Sequence, residues 1–280
     1  MAALAQDPES GAVKSQIGTV LSRVIDADYP GDWPGLVDEI VVLLRGGEGE
    51  IEAGLRATVE VLRGFRYVGL FSAGKGKLTR HLGSYNRSTD RAAPSLPTLI
   101  THLFPTLLTL AQRILATTPT DTASTTLQGT LLHLVLKSYK HSIATHLSAD
   151  LQAPDSIVAW GTLFLSIIQR SIPVELLPSD LDAREKHAWS KTKKWALYSL
   201  NRLFMRYGNP SQLPSNMKVL YGPFAERFIA QFVPEILKAY FGLVERSVGG
   251  EWSSSKTKHH LLVFFEEWCV SCRVDRKETS

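Results

Sequence analysis

The chain has little cysteine, no long apolar run and almost no excess of charge. Two cysteines among 280 residues cannot build the disulfide framework that holds small secreted domains together, and they fit a reducing compartment. No uninterrupted apolar run approaches the ~18–20 residues that a bilayer-crossing helix needs, so no membrane insertion is expected. The opening MAALAQDPESG lacks the basic start and apolar stretch of a secretory signal. With 31 Lys+Arg against 27 Asp+Glu, the net charge of +4 is too slight to argue for nucleic acid, and no direct nucleic-acid partner is expected. Alternating strand patterns bounded by turns are nearly absent. What remains is a soluble intracellular helical chain, whose 44% hydrophobic share is enough to bury a sizeable core.

Helical spacing fills most of the chain. Val13, Ile17, Val20, Leu21, Val24 and Ile25 form one stripe that ends near Asp28, because Tyr29-Pro30-Gly31 cannot continue a helix. Trp33-Pro34 then opens a second helix with Pro34 in its first turn, and Gly46-Gly47 closes it. A third helix covers Glu50 to Gly64 with Ile51, Leu55, Val59 and Leu62 inward. Further helices are expected at Leu96–Leu115, Thr125–Leu147, Ser156–Ile172, Asp182–Tyr207, Phe224–Val248 and Ser254–Asp275. Residues 1–12 and 276–280 read as tails, and about 66–94 as a basic, glycine-containing loop. The fold class is therefore all-α. Trp33-Pro34-Gly35-Leu36-Val37, Phe104-Pro105-Thr106-Leu107-Leu108 and Val233-Pro234-Glu235-Ile236-Leu237 share one pattern, bulky-Pro-x-apolar-apolar. Helix pairs with a proline in one member are the grammar of stacked HEAT-type repeats, and the length suits about seven units of roughly 40 residues. The solenoid is expected to span 13–275.

Patterns that carry chemistry are weak. Gly69-Leu-Phe-Ser-Ala-Gly74-Lys75-Gly76 nearly spells a phosphate loop, but Gly76 stands where the magnesium-binding hydroxyl belongs, and a flexible Gly/Lys loop explains it better. Cys269-Val-Ser-Cys272 after His259-His260 has the spacing of half a zinc site, yet one continuous helix would keep the two pairs apart. His141 and His146 face different sides of a helix, and no paired-acid or Ser–His–Asp pattern is present. No catalytic, cofactor-binding or metal-ligating residue is expected. In Ala188–Gly208, Trp195, Ala196, Leu200, Leu203, Phe204 and Tyr207 can bury along one side, leaving Lys191, Lys194, Asn201, Arg202 and Arg206 freer. The aromatic–basic mix would also suit single-stranded nucleic acid, but an amphipathic helix in a helical stack is the better reading. Lys191 and Lys194 are its candidates for contacting a protein.

Lys193-Lys194-Trp195-Ala196-Leu197, then Arg202-Leu203-Phe204 and Arg206-Tyr207-Gly208-Asn209-Pro210, closely resemble the KKWAL…RLF.RYG.P segment of the importin-beta (karyopherin-beta) superfamily, in its importin-7/importin-8 branch. Ala27-Asp28-Tyr29-Pro30-Gly31-Asp32-Trp33-Pro34 matches that branch's A-D-Y/F-P-x-x-W-P turn. His102-Leu103-Phe104-Pro105 with Leu107-Leu108 resembles the helix after its basic loop, and Ser171-Ile172-Pro173-Val174-Glu175-Leu176 resembles a later IP.EL turn, all in family order over about 13–270. The resemblance implies a HEAT-repeat superhelix moving between cytoplasm and nucleus through the nuclear pore. It would bind protein cargo on its inner surface, FG-repeat nucleoporins in outer grooves, and Ran-GTP, which releases cargo by changing the superhelix curvature. It implies no enzyme. The family's chains are far longer, so this one covers an early-middle slice. The match begins near Val13, past the first repeats that make the family's principal Ran contact. Ala188 and Thr192 also depart from the family's WWKCKKWA.

Overall fold

The structure is a computed structural model that describes residues 11–65, 96–144, 147–208, 213–248 and 253–278, with side chains from 16 to 266 within those ranges. Among the described residues there is no strand, and the architecture is all-α, of the helical-repeat solenoid class. The helices are α1 Gly11–Asp28, α2 Leu36–Leu43, α3 Glu48–Phe65, α4 Leu96–Ala116 and α5 Thr122–Ser142. There follow a single turn, α6 Ala149–Gln152, then α7 Pro154–Gln169, α8 Leu181–Lys186, α9 Ala188–Tyr207, α10 Ser215–Val248 and α11 Ser255–Glu278. They form two compact units, one of residues 1–114 with 137–150, the other of 115–136 with 151–280.

In the first unit α3 packs against both α1 and α2. A helix with two neighbours needs apolar residues on more than one stripe. Accordingly Ala53, Ala57 and Val61 join the expected Ile51, Leu55, Val59 and Leu62 in the core. Glu52 and Glu60, also buried, pair with Arg56 and Arg63 one turn on, each at 2.5 Å. Pro34 does not enter the second helix: α2 starts at Leu36 with Gly35 as its N-cap, because Trp33 and Pro34 belong to the reversal that precedes it. α4 buries Leu99, Ile100, Leu103 and Leu107, and Phe104 meets Tyr139 with ring centroids 6.1 Å apart. Its most apolar stretch has a mean hydropathy of 1.3, so by length and composition α4 could cross a membrane. The expectation from uninterrupted runs passed over this helix, because Thr98, Thr101, His102 and Pro105 punctuate it.

In the second unit α9 packs against α7, α8, α10 and α11, and α7 also against α10. The α7–α10 crossing is close: a Cβ on Gly161 would lie 2.3 Å from the Phe232 ring. The helix expected over Asp182–Tyr207 is two helices, since His187 adopts extended backbone, ending α8 and capping α9. The Asp180 carboxylate caps α8 by accepting from the Ala183 N–H at 2.7 Å. The helix expected at Phe224–Val248 starts earlier, at Ser215, and carries two internal prolines, Pro223 and Pro234. Each removes the donor for the carbonyl four residues back, those of Val219 and Ala230. Both of these residues and both prolines are exposed, so water can supply the missing donor.

Candidate protein-binding surfaces

The turn between α1 and α2 is built from Asp28 outward. The Asp28 carbonyl accepts from the Asp32 and Trp33 amides at 2.7 and 2.9 Å, and the Tyr29–Pro30 peptide is cis. Tyr29 is buried edge-on against Phe65, with centroids 5.7 Å apart, while Pro34 is exposed. Burial, and secondly the Asp38 carboxylate, raise the Tyr29 hydroxyl above its ordinary pKa. Trp33 is laid back over the helix pair and donates its indole N–H to Glu39 Oε1 at 3.0 Å. Beneath it, Ile17, Val20, Leu21 and Val24 of α1 and Leu36, Ile40 and Val42 of α2 line an apolar cavity of about 460 Å³. Val20 and Val42 are 59% and 69% exposed, so the groove opens to solvent.

The α9 helix holds five cations, Lys191, Lys193, Lys194, Arg202 and Arg206, and no acid. Lys191 is exposed; Lys193, Lys194, Trp195, Arg202, Arg206 and Gly208 are half-buried; Leu203, Phe204 and Tyr207 are buried. The Lys194 ammonium stands 4.3 Å from the centroid of the Trp195 ring, and Tyr198 meets the same ring edge-on at 5.3 Å. That half-buried packing of Trp195 differs from the fully inward position expected for it. Burial first, and Arg202 second, lower the pKa of the Arg206 guanidinium. The Gly208 amide ends the helix by donating to the Phe204 carbonyl at 2.6 Å.

Asn201 is the larger correction. It is 4% exposed, not on the free side of α9. Its Nδ2 donates to the His260 carbonyl and its Oδ1 accepts from the Tyr240 hydroxyl, both at 2.8 Å, so that it ties α9 to α11 and α10. Other partners of α9 also escaped the pattern. Trp189 is 2% exposed, and a Cβ on Gly129 would come within 2.9 Å of it. The Thr192 hydroxyl donates to the Gly129 carbonyl at 2.7 Å. His187 accepts from the Trp189 amide at Nδ1 (3.3 Å), which leaves its Nε2–H to donate to Thr126 Oγ1 at 3.1 Å. Burial, then Lys191, lower its pKa, keeping it neutral as that bonding requires.

Pro105 lies exposed inside α4 beside the buried Phe104. The Gly69–Gly76 loop and the side chains of Cys269 and Cys272 lie outside the described residues. Among the described residues no three His, Cys, Asp or Glu side chains converge as a metal site would require.

Known proteins align with most of this chain. Nonsense-mediated mRNA decay protein 5 of Saccharomyces cerevisiae is 29% identical over 256 residues, covering 90% of the chain and 22% of that protein. Importin beta-like SAD2 homolog of Arabidopsis thaliana is 28% identical over 242 residues, or 85% of the chain and 20% of its own length. Importin-8 of Homo sapiens is 26% identical over 235 residues, 84% of the chain and 20% of its own length. The chain thus spans about a fifth of each relative it matches. No family model matches it, and no solved structure does.

Proposed function

We propose that this chain, whose sequence belongs with the importin-beta superfamily on its importin-8-like branch, serves as part of a nuclear transport receptor that works by binding proteins and not by catalysis. The observation that carries this reading is the extent of the likeness, 84% of the chain against Homo sapiens Importin-8. In this reading the protein moves between cytoplasm and nucleus and is found at the nuclear pore. Its partners are protein cargo, FG-repeat nucleoporins and Ran-GTP. The apolar groove of α1 and α2 is the candidate seat for an FG phenylalanine, being open, apolar and roofed by an indole. Lys191 and Lys194 are the candidate cargo contacts on α9.

The test is a pull-down of the full chain on FG-repeat peptide and on Ran loaded with GTP or GDP. FG peptide is expected to retain the chain, and Val20→Asp with Val42→Asp to abolish retention without lowering the melting temperature, since both side chains are exposed. Lys191→Glu with Lys194→Glu is expected to spare FG binding and weaken cargo capture. If neither FG peptide nor Ran-GTP binds this chain, nor a version extended by further repeats of the receptor, a general HEAT scaffold replaces the transport reading.

A further inference from the structure

Arg45 follows the end of α2 and Arg113 stands in the last turn of α4. Both places suit a cation, because the last carbonyls of a helix carry partial negative charge. Helix ends alone do not explain why the two arginines line one cleft, of about 340 Å³. Leu44 and Leu110, 1% and 3% exposed, close its floor, and the exposed Pro105 and Thr109 with the half-buried Thr106 give it its accessible apolar surface. Among the described residues no carboxylate and no aromatic ring lines it. Arg45 is exposed, and among the described residues its guanidinium makes no ion pair.

We propose that this cleft docks an acidic segment of a protein partner, with a Glu or Asp side chain at Arg45, beside the charge of Arg113, and an adjoining aliphatic side chain against Pro105 and the methyl groups of Thr106 and Thr109. The guanidinium fork matches a carboxylate in shape as well as charge. A nucleic acid fits less well. Single strands are held by stacking on aromatic rings, and the described lining of this cleft has none. The inference is independent of the transport reading and would stand if that reading failed.

Fluorescence anisotropy of the full chain with a short labelled peptide alternating Glu and Leu tests it. Binding is expected, weakening as salt rises, and falling at least about tenfold in Arg45→Glu and in Arg113→Glu. Arg45→Lys keeps the charge but loses the fork, and should give an intermediate affinity with an unchanged melt. If Arg113→Glu does not fold, the two Arg45 variants decide. Lys191→Glu, on α9, should change nothing. The proposal is overturned if the peptide does not bind, or if Arg45→Glu binds it as tightly as the parent. It is overturned also if Lys191→Glu accounts for the loss, or if single-stranded oligothymidylate binds more tightly than the peptide and depends on the same arginines.

Discussion

The Tyr240 hydroxyl donates to the side-chain carbonyl of Asn201 at 2.8 Å, deep between α9 and α10. Tyr240 is fully enclosed, and burial holds its hydroxyl pKa well above the ordinary value, so it donates as a neutral phenol. The same asparagine satisfies the His260 carbonyl on α11. One amide therefore serves three helices, and removing it would strand the buried Tyr240 hydroxyl and undo a second tie to α11.

Asn201→Ala is expected to cost about 1–3 kcal/mol in chemical denaturation, the cost of leaving the buried Tyr240 hydroxyl unsatisfied. Tyr240→Phe removes one partner and should cost about 1 kcal/mol. The double variant should show a coupling of about 1 kcal/mol; strict additivity would mean that the two side chains do not interact in solution.

Gly161 permits the approach of α7 to α10. Gly161→Ala is expected to destabilise by about 1–3 kcal/mol, since Phe232, itself 5% exposed, has nowhere to swing. Phe232→Leu in the same chain should recover part of the loss. A neutral Gly161→Ala would show that the helices separate at little cost.

Arg170 closes the end of α4. Its guanidinium donates to the Leu115 and Thr117 carbonyls at 2.8 and 3.1 Å, and Gln128 Nε2 donates to the Thr117 carbonyl at 2.7 Å. Arg170→Ala should lower stability by about 1–2 kcal/mol, and Arg170→Lys by less, as a point charge reaches only some of these carbonyls. Equal loss in both variants would show that the fork geometry, and not the charge, holds the helix end.

Acid should loosen the second unit. Burial first, then His259 and Lys194, lower the His260 pKa from 6.5 to about 4, and His187 is lowered in the same sense. A histidine whose folded pKa lies below its unfolded value gives its full stabilisation above the unfolded pKa. That stabilisation is lost as pH falls through the unfolded value toward the folded one. The melting temperature is thus expected to fall between about pH 7 and pH 4. In the first unit Glu60 acts oppositely: burial raises its carboxyl pKa, and acid relieves a penalty. Combining His187→Asn with His260→Gln should flatten the acid side of the profile; an unaltered profile would assign the sensitivity to other groups.

The fold class was legible because apolar residues recur at helical spacing, and because Tyr29-Pro30 and Gly46-Gly47 punctuate it. Four features were not. His187 carries no breaker signature, yet it splits a helix, because its ring supplies the cap that the backbone needs. Asn201 reads as a surface residue on its own helix; its partners come from 39 and 59 residues away, and no local pattern can reveal them. Trp195 falls on the apolar stripe but lies half-buried under Lys194, whereas Trp189 takes the deep position. The groove of α1 and α2 was equally invisible, since periodicity names the apolar residues of both helices and not the space left between them. Gly129 and Gly161 are the one signal that could have marked the tight crossings of α5 with α9 and of α7 with α10.

The two prolines of α10 each leave one backbone hydrogen bond unmade within its thirty-four residues, and the helix is expected to be most compliant at those two points. Amide exchange should show this as blocks of protection with steps at Pro223 and Pro234. Under load such a helix is expected to bend at the exposed Val219 and Ala230 before any of its buried rings, Phe224, Phe228, Phe232 or Tyr240, has to leave its seat. Elasticity is thus written into the longest helix by two residues that would ordinarily be read as its defects.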